Sequence, residues 1–207
     1  MTEPHLLYRQ AVVIGAGAWG TTLAHLLASR GLPVMLWAYE AEVVETIRRK
    51  RENVRFLPGI TLPSSLTPTG SLEEAIQGAD LMVFAVPSHA ARSVLERLTS
   101  LMAATPPVIS VAKGIEEQSL RLMSEVMEET LGVAMGRRVA VLSGPSFASE
   151  VAKGQPTAVL LASNDPDLGR RLQGLLMTPQ FRVYTGTDVT GVQLGGALKN
   201  VVAIAAG

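Results

Sequence analysis

The fold of this chain is decided by the stretch Ala11-Val-Val-Ile-Gly15-Ala-Gly17-Ala-Trp19-Gly20. Four apolar residues lead into a G-x-G-x-x-G turn, and a helix-like run at residues 21–30 follows it. In such a turn the first glycine permits the tight bend, the second lets a pyrophosphate approach the backbone, and the third lets helix and strand pack closely. The phosphates meet free N–H groups at the positive end of the helix dipole. The stretch predicts a dinucleotide site at Gly15, Gly17 and Gly20; the alternative is an ordinary strand–turn–helix corner.

A second apolar run supplies the other half of this site. The run Val34–Trp37 predicts the next buried parallel strand, and Glu40 follows it. Glu40 lies 20 residues after Gly20, the spacing at which an acid commonly accepts the adenosine ribose hydroxyls. A carboxylate there favours NAD and repels the added 2′-phosphate of NADP. Two alternatives stay open: Glu40 simply begins the next helix, where an acid suits the dipole, or the basic run at residues 48–51 binds NADP.

Composition bounds the class of protein. The chain has 207 residues, 47% of them hydrophobic, and can bury the core of one domain or slightly more. Its 18 basic and 18 acidic residues give no electrostatic case for nucleic acid or an acidic membrane. Cysteine is absent, which excludes disulfides and thiolate metal sites, and we expect no metal. Residues 1–5 show no signal peptide, and we expect a cytoplasmic protein.

Strand-like and helix-like segments alternate along the rest of the chain. Strands are predicted at residues 81–86, 108–112, 139–142, 157–162 and 181–185, and helices at 71–78, 90–101, 119–131 and 166–177. The alternation predicts an α/β fold, a Rossmann-like, mostly parallel sheet with helices on both faces. Ligands bind such sheets beyond the carboxyl ends of the strands. Lys113 lies at one of these ends as a cation facing the cleft, unless it is a plain surface lysine.

The segment at residues 189–207 carries a single charge, Lys199. A membrane span needs about 20 predominantly apolar residues, but Gln193, Lys199, Asn200 and four glycines favour a helix buried within the protein. A buried lysine needs a partner or has its pKa lowered by desolvation, and it can then transfer a proton near neutral pH. The alternative, with even odds, is that Lys199 snorkels to the surface at a helix–helix interface.

Six motifs occur together and in order. They are Gly-Ala-Gly-Ala-Trp-Gly at residues 15–20, Glu-Asn-Val-Arg-Phe-Leu-Pro-Gly at 52–59, Ala-Val-Pro at 85–87, Val-Ala-Lys-Gly at 111–114, Leu-Ser-Gly-Pro-Ser-Phe-Ala at 142–148 and Gly-Val-Gln-Leu-Gly-Gly-Ala-Leu-Lys-Asn at 191–200. Together they resemble the bacterial type of NAD(P)-dependent glycerol-3-phosphate dehydrogenase, over the whole chain. That family interconverts dihydroxyacetone phosphate and sn-glycerol 3-phosphate and so supplies phospholipid synthesis.

The resemblance implies roles for individual residues. Cofactor-binding positions are Gly15, Gly17, Ala18, Trp19, Gly20, Tyr39, Glu40, Phe56, Lys113 and Ala148; substrate positions are Lys113, Gly144, Ser146, Lys199 and Asn200. Lys199 matches the catalytic proton acceptor. Ala18 stands where many relatives carry Ser, and Tyr39-Glu40 stands where several carry His-Arg. The missing arginine favours NAD, with NADP use left open.

The family continues for a further, mostly helical domain. Residues 1–186 are therefore expected to be the dinucleotide-binding domain, and residues 187–207 the start of the helical substrate domain. The family's Arg-Asn pair that holds the substrate phosphate has no counterpart here, so the chain is expected to bind cofactor and turn over poorly. A homodimer is allowed for the full-length protein. Two interpretations stay open beside this one: another Rossmann-type enzyme, such as a 3-hydroxy acid dehydrogenase or ketopantoate reductase, and a non-catalytic NAD-binding module.

Overall fold

The computed structural model describes residues 7–207, which are built around one eight-stranded sheet. The strands are β1 (Ala11–Ile14), β2 (Val34–Trp37), β3 (Leu66–Thr69), β4 (Leu81–Phe84), β5 (Val108–Ser110), β6 (Val139–Ser143), β7 (Thr157–Ser163) and β8 (Phe181–Gly186). The helices are α1 (Ala18–Ser29), α2 (Ala41–Lys50), α3 (Leu72–Ile76), α4 (Ser88–Leu101), α5 (Met123–Leu131), α6 (Ala148–Ala152), α7 (Pro166–Leu176) and α8 (Val189–Ala206), with a 3-10 helix at Val133–Arg137. The signal-peptide prediction concerns residues 1–5, which lie outside the described residues.

The sheet has the order β3-β2-β1-β4-β5-β6-β7-β8. All neighbouring strands are parallel except β6 and β7, whose antiparallel register pairs Leu142 with Leu161. The first six strands follow the doubly wound order 3-2-1-4-5-6, which reverses between β1 and β4. The mostly parallel Rossmann-like sheet is thereby confirmed, and the glycine turn after β1 lies at the switch point where such sheets bind dinucleotides.

Helices cover both faces of the sheet, and each face has its own core. Val13 of β1 packs into one core with Leu23 of α1, and Ile14 packs into the other core with Leu95 of α4. All four side chains are fully buried. Burial on both faces explains why the central strands are continuous apolar runs rather than alternating ones.

The glycine turn is a place of close backbone approach. Gly15 has φ +110°, and a Cβ on it would lie 2.7 Å from the carbonyl oxygen of Ala85. A Cβ on Gly20 would lie 1.9 Å from the carbonyl oxygen of Gly15, so only a glycine lets α1 sit this close to β1. Gly17 has nothing within 4 Å of the same position and faces open space. Helix α1 begins at Ala18, three residues before the predicted start at 21.

Short or unusual elements escape the sequence pattern. Edge strand β3 has the sequence Leu66-Thr-Pro-Thr69; its proline is tolerated only because the strand lies at the edge of the sheet. Helix α5 begins at Met123 rather than at residue 119. The preceding residues form a turn in which the Glu116 N–H donates to the Arg121 carbonyl and Leu120 has φ +56°. The predicted start of α3 is confirmed, since the Ser71 hydroxyl accepts the Glu74 N–H at 3.2 Å.

Helix α8 is not the fully buried helix that the sequence predicts. Val192, Gln193 and Gly196 in its first half are buried against the sheet, whereas Val201 and Ile204 in its second half are exposed. By length and composition alone α8, with 18 residues and a mean hydropathy of 1.3, could also cross a membrane. Because α8 is apolar almost all round, its sequence has no polar face to show which part the sheet covers.

We expect Gly20→Ala to lower the free energy of unfolding by about 3 kcal/mol, the upper end of the usual cost of overpacking, because the added methyl meets the backbone oxygen of Gly15. Urea unfolding followed by circular dichroism measures the loss. Gly17→Ala is the matched control: its methyl has free space, and the weaker helix-capping preference of alanine costs no more than ~1 kcal/mol. Equal losses in the two variants would contradict the packing role of Gly20.

Candidate functional site

Two clefts open at the carboxyl edge of the parallel strands and share a wall. The first, here called the turn cleft, has a volume of about 320 Å³ and is lined by Ala18, Trp19, Val86, Lys113, Ser146 and Ala148. The second, the helix cleft, has a volume of about 730 Å³ and is lined by Lys113, Gly144, Ser146, Gly196, Lys199 and Asn200. Lys113, Ser146 and Phe147 line both clefts. A ligand in the turn cleft would therefore border one in the helix cleft.

Hydrogen bonds from the buried side chain of Asn53 hold the glycine turn in place. Asn53 is completely buried, and its Nδ2 donates to the Ala16 carbonyl and to the Thr21 hydroxyl oxygen, both at 2.8 Å. Its Oδ1 accepts the N–H of Phe56 at 3.2 Å. The same amide thus fixes both the turn and the loop that carries Phe56. Sequence reasoning assigned no role to Asn53, because a polar residue in a loop gives no sign of burial.

The predicted adenosine positions lie beyond β2, outside the two clefts. Tyr39 is 81% exposed, with its ring edge-on to Trp37 at a centroid distance of 6.4 Å. Glu40 is the N-cap residue of α2, but its side chain makes no capping hydrogen bond, so the carboxylate stays free to accept other donors. The guanidinium of Arg55 lies 5.1 Å from the centroid of the Phe56 ring. Tyr39 and Glu40 thus follow β2 closely, at the carboxyl edge of the sheet.

Two residues of the basic run at residues 48–51, Arg48 and Arg51, make hydrogen bonds to the backbone near β3. The guanidinium of Arg51 donates to the carbonyl oxygens of Pro63 and Leu66 and, at 3.4 Å, of Leu62. Arg48 donates to the Pro68 carbonyl at 3.4 Å. These contacts tie the end of α2 to the residues before and within β3. Arg49 and Lys50 are exposed, so the alternative in which this run binds the 2′-phosphate of NADP stays open.

Lys113 occupies the junction of the two clefts, directly after β5. Burial lowers the pKa of its ammonium below the usual value, and the positive charge of Lys199 lowers it further. Both groups line the helix cleft. Its pKa shift and position distinguish Lys113 from a plain surface lysine, which was the alternative left by the sequence.

The segment after β6 joins the two clefts. Gly144 has φ +155°, and a Cβ there would lie 3.0 Å from the Cα of Val159. Close packing against β7 therefore also favours glycine at this position. Gly196 of α8 passes close to Ser143, whose Oγ would lie 2.8 Å from a Cβ at that position. Of the two glycines before Lys199, Gly196 is therefore the one that lies close to β6, while Gly195 has nothing within 4 Å.

Lys199 and Asn200 line the helix cleft but are exposed. The expectation that Lys199 is buried is wrong for this chain, because α8 leaves the surface of the sheet before reaching it; the alternative of a lysine at the surface fits better. Phe147, which the sequence analysis quoted only within a motif, is 70% exposed and borders both clefts. Among residues 7–207, no three His, Cys, Asp or Glu side chains lie together where they could hold a metal ion.

The glycine turn fits a dinucleotide on structural grounds. A side chain on Gly17 would project into the open space in front of the turn, and Gly17 is the N-cap residue of α1. The first N–H groups of a helix have no acceptor within the helix, so they are available to phosphate oxygens. The free carboxylate of Glu40 follows the neighbouring strand. Fold and site together define a Rossmann-type dinucleotide-binding domain.

Comparison with known proteins identifies the family. A sequence profile described as NAD-dependent glycerol-3-phosphate dehydrogenase N-terminus matches residues 10–169. The chain is 53% identical to glycerol-3-phosphate dehydrogenase [NAD(P)+] of Geobacter sulfurreducens over 94% of its length, and 48% identical to that of Anaeromyxobacter sp. over 96%. The chain therefore belongs to the NAD(P)-dependent glycerol-3-phosphate dehydrogenase family, as the resemblance implied.

The similarity covers part of the relatives. The chain spans 58% of the Geobacter sulfurreducens protein. A crystal structure of glycerol-3-phosphate dehydrogenase from Coxiella burnetii superimposes with a TM-score of 0.88 at 39% identity, over 95% of this chain and 59% of that one. GDP-mannose dehydrogenase from Pseudomonas aeruginosa shares the fold alone, with a TM-score of 0.73 at 15% identity.

We expect Gly17→Ala to weaken NADH binding roughly 10-fold or more, which is ~1.4 kcal/mol, because its methyl enters the space left for the pyrophosphate. Isothermal titration calorimetry with NADH measures the affinity, and circular dichroism checks that the variant is folded. Gly154→Ala is no suitable control because φ is +74° there, whereas Gly195→Ala adds a methyl in equally open space on α8 and should leave NADH affinity unchanged. Unchanged NADH affinity in folded Gly17→Ala would show that the cofactor does not bind at this turn.

Proposed function

We propose that this chain is the cofactor-binding part of an enzyme that interconverts sn-glycerol 3-phosphate and dihydroxyacetone phosphate with NAD(P). The observation that carries the proposal is the position of Lys113, which lines both the turn cleft and the helix cleft. A cofactor in the turn cleft and a substrate in the helix cleft would meet beside its ammonium. The nicotinamide cofactor supplies or accepts the hydride.

The side chains of the helix cleft have the chemistry that this reaction needs. Reduction of a ketone places negative charge on its oxygen, and a positioned cation stabilises that charge. We assign this role to Lys113, whose lowered pKa reflects a half-buried site. Lys199 gives a proton to the same oxygen in reduction and takes it back in oxidation, as a general acid and base. Gly144, Ser146 and Asn200 complete the substrate wall of the cleft.

The remaining assignments follow from the same proposal. Gly15, Gly17, Gly20 and the first residues of α1 hold the pyrophosphate. Trp19 and Ala148 line the turn cleft, and Tyr39, Glu40 and Phe56 contact the adenosine, with NAD preferred over NADP. Residues 1–186 form the dinucleotide-binding domain and residues 187–207 begin the helical substrate domain; a homodimer is allowed for the full-length protein. The enzyme acts in the cytoplasm, in phospholipid synthesis.

The proposal is tested by assaying the protein expressed from its natural gene for NADH oxidation. We expect turnover with dihydroxyacetone phosphate and none with ketopantoate or a 3-oxo acid. Dihydroxyacetone without its phosphate is the matched control for recognition of the anion. Turnover of ketopantoate alone would identify another reductase, and NADH binding without turnover of any of these compounds would leave a non-catalytic NAD-binding module.

In the protein expressed from its natural gene, we expect Lys199→Met to lower kcat by ~10²–10⁴, the usual contribution of a general acid–base group, while the Kd for NADH changes less than about twofold. Methionine keeps the apolar length of the side chain and removes only the ammonium, which lines the cleft without supporting the core. Lys153→Met, at an exposed lysine after α6, is the control and should retain wild-type kcat. A near-normal kcat in Lys199→Met would assign the proton transfer elsewhere, to Lys113 or to water.

The cofactor preference gives a separate prediction for Glu40. The wild-type protein should bind NADH more tightly than NADPH, and Glu40→Gln should move the ratio of the two Kd values toward NADPH roughly 10-fold. This is ~1.4 kcal/mol, within the ~1–4 kcal/mol between unit charges 4 Å apart. Glu96→Gln, at an exposed acid of α4, is the control because Glu96 lies outside the proposed cofactor residues. Tighter NADPH binding by the wild type would show that Glu40 does not face the ribose.

A further inference from the structure

The backbone that carries Lys113 continues into a loop packed directly on α4. The next residue, Gly114, has φ +147°, and a Cβ there would lie 2.4 Å from the hydroxyl oxygen of Ser88, the first residue of α4. The loop then returns to α5, and Ile115 and Leu122 pair as an isolated antiparallel bridge at its two ends. Both ends of the loop are therefore fixed close to each other and to α4.

A buried carboxylate in this loop, that of Glu116, forms an ion pair with α4. Glu116 is only 5% exposed. Arg92 of α4 donates from Nε to Oε1 of Glu116 at 2.9 Å and from Nη2 to Oε2 at 2.8 Å, a bidentate pair. The Ser119 hydroxyl also donates to Oε2. Arg92 lies four residues after Ser88, so both anchors are on the same face of α4.

Arg92 and Glu116 are both charged, and together they add almost no net charge near Lys113. The hydrogen bonds from Arg92, and then that from Ser119, lower the pKa of Glu116 to about 2, so the carboxylate is ionised at neutral pH. Arg92 also donates to Glu129 of α5 at 2.8 Å, and Arg121 lies 3.1 Å from the same oxygen. The charges of the two arginines and two glutamates cancel. This cluster can therefore affect the neighbouring site by fixing the loop in place, but not by its net charge.

Lys113 needs such an anchor. Its ammonium is half-buried and shares the helix cleft with the positive Lys199 of α8; Asp188, at the start of α8, is the acid that lines the same cleft. Burial and like-charge repulsion both disfavour a charged lysine in this place. A free loop would let the side chain swing into water, which lowers the free energy of the ammonium.

We propose that Arg92 and Glu116 are positioning residues, a clamp that fixes the loop after β5 on α4 and thereby holds Lys113 where the two clefts meet. The role for catalysis rests on the function proposed above for Lys113. The clamp itself is tested without turnover, because the chain has four lysines, Lys50, Lys113, Lys153 and Lys199, whose titrations can be followed separately.

The first experiment is an NMR titration of the chain labelled with [ε-13C]lysine. In the wild type Lys113 should titrate below the ordinary lysine value of about 10.4. Glu116→Gln and Arg92→Met should return its pKa toward that value, and the double variant should do no more than either single one, because the pair acts as a unit. Arg92→Lys, which keeps the charge and loses the bidentate geometry, should give a partial return and serves if Arg92→Met does not fold.

The control separates positioning from general loss of stability. Asp80 accepts the N–H groups of Arg9 at 2.9 Å and Gln10 at 3.1 Å, at the amino end of the sheet and away from Lys113. Asp80→Asn weakens these bonds and should leave the Lys113 titration unchanged. An unchanged Lys113 titration in folded Glu116→Gln and Arg92→Lys would overturn the clamp, as would an equal shift in Asp80→Asn.

Kinetics of the protein expressed from its natural gene then tests the consequence. Displacement of a catalytic group by about 1 Å costs on the order of 100-fold in rate. We expect Glu116→Gln to lower kcat for dihydroxyacetone phosphate by roughly 10- to 100-fold. If the wild type does not turn over dihydroxyacetone phosphate, the proposed function fails while the titration still decides the clamp. A wild-type kcat in Glu116→Gln would overturn the catalytic role of the clamp.

Discussion

The approach of Gly20 to the carbonyl oxygen of Gly15 is the constraint on which the rest of the site depends. It lets the first turn of α1 lie against the end of β1. The Gly15 backbone in turn crosses close to Ala85 after β4, at the point where the strand order reverses. Because both approaches are between backbone atoms, no side-chain rearrangement could restore them after substitution. They aim the free N–H groups of α1 into the space in front of Gly17.

Two consecutive threonines extend this constraint to the walls of the site. The Thr21 hydroxyl lies in the network of Asn53 and the Ala16 carbonyl, which holds the Phe56 loop. The Thr22 hydroxyl lies 3.1 Å from the Ala148 carbonyl, at the start of α6. Each bond contributes only about 0.5–1.5 kcal/mol net. These bonds matter mainly for geometry, because they hold two segments that are far apart in sequence against one turn of α1.

The parts of the fold that could be predicted from sequence are those set by local patterns. β1 and β2 were predicted to the residue because strands buried on both faces are unbroken apolar runs. The start of α5 was misplaced because the loop before it is shaped by Glu116 meeting Arg92, a contact across 24 residues. The glycines and Lys113 could be located by motif and strand end, whereas the exposure of Lys199 depends on where α8 leaves the sheet. No local pattern encodes that point, and none indicates the burial of Asn53.

The pair of lysines gives the helix cleft its chemical preference. Lys113 is half-buried, and the positive charge of Lys199 contributes to lowering its pKa. Two ammonium groups that repel each other raise the free energy of the empty cleft, and an anion between them reverses the sign of the interaction. An anionic ligand therefore gains more here than a neutral ligand does. That gain requires Lys113 to stay in place against repulsion. The hydrogen-bonded clamp on α4 suits this need because it holds the backbone and adds no net charge of its own beside the two lysines.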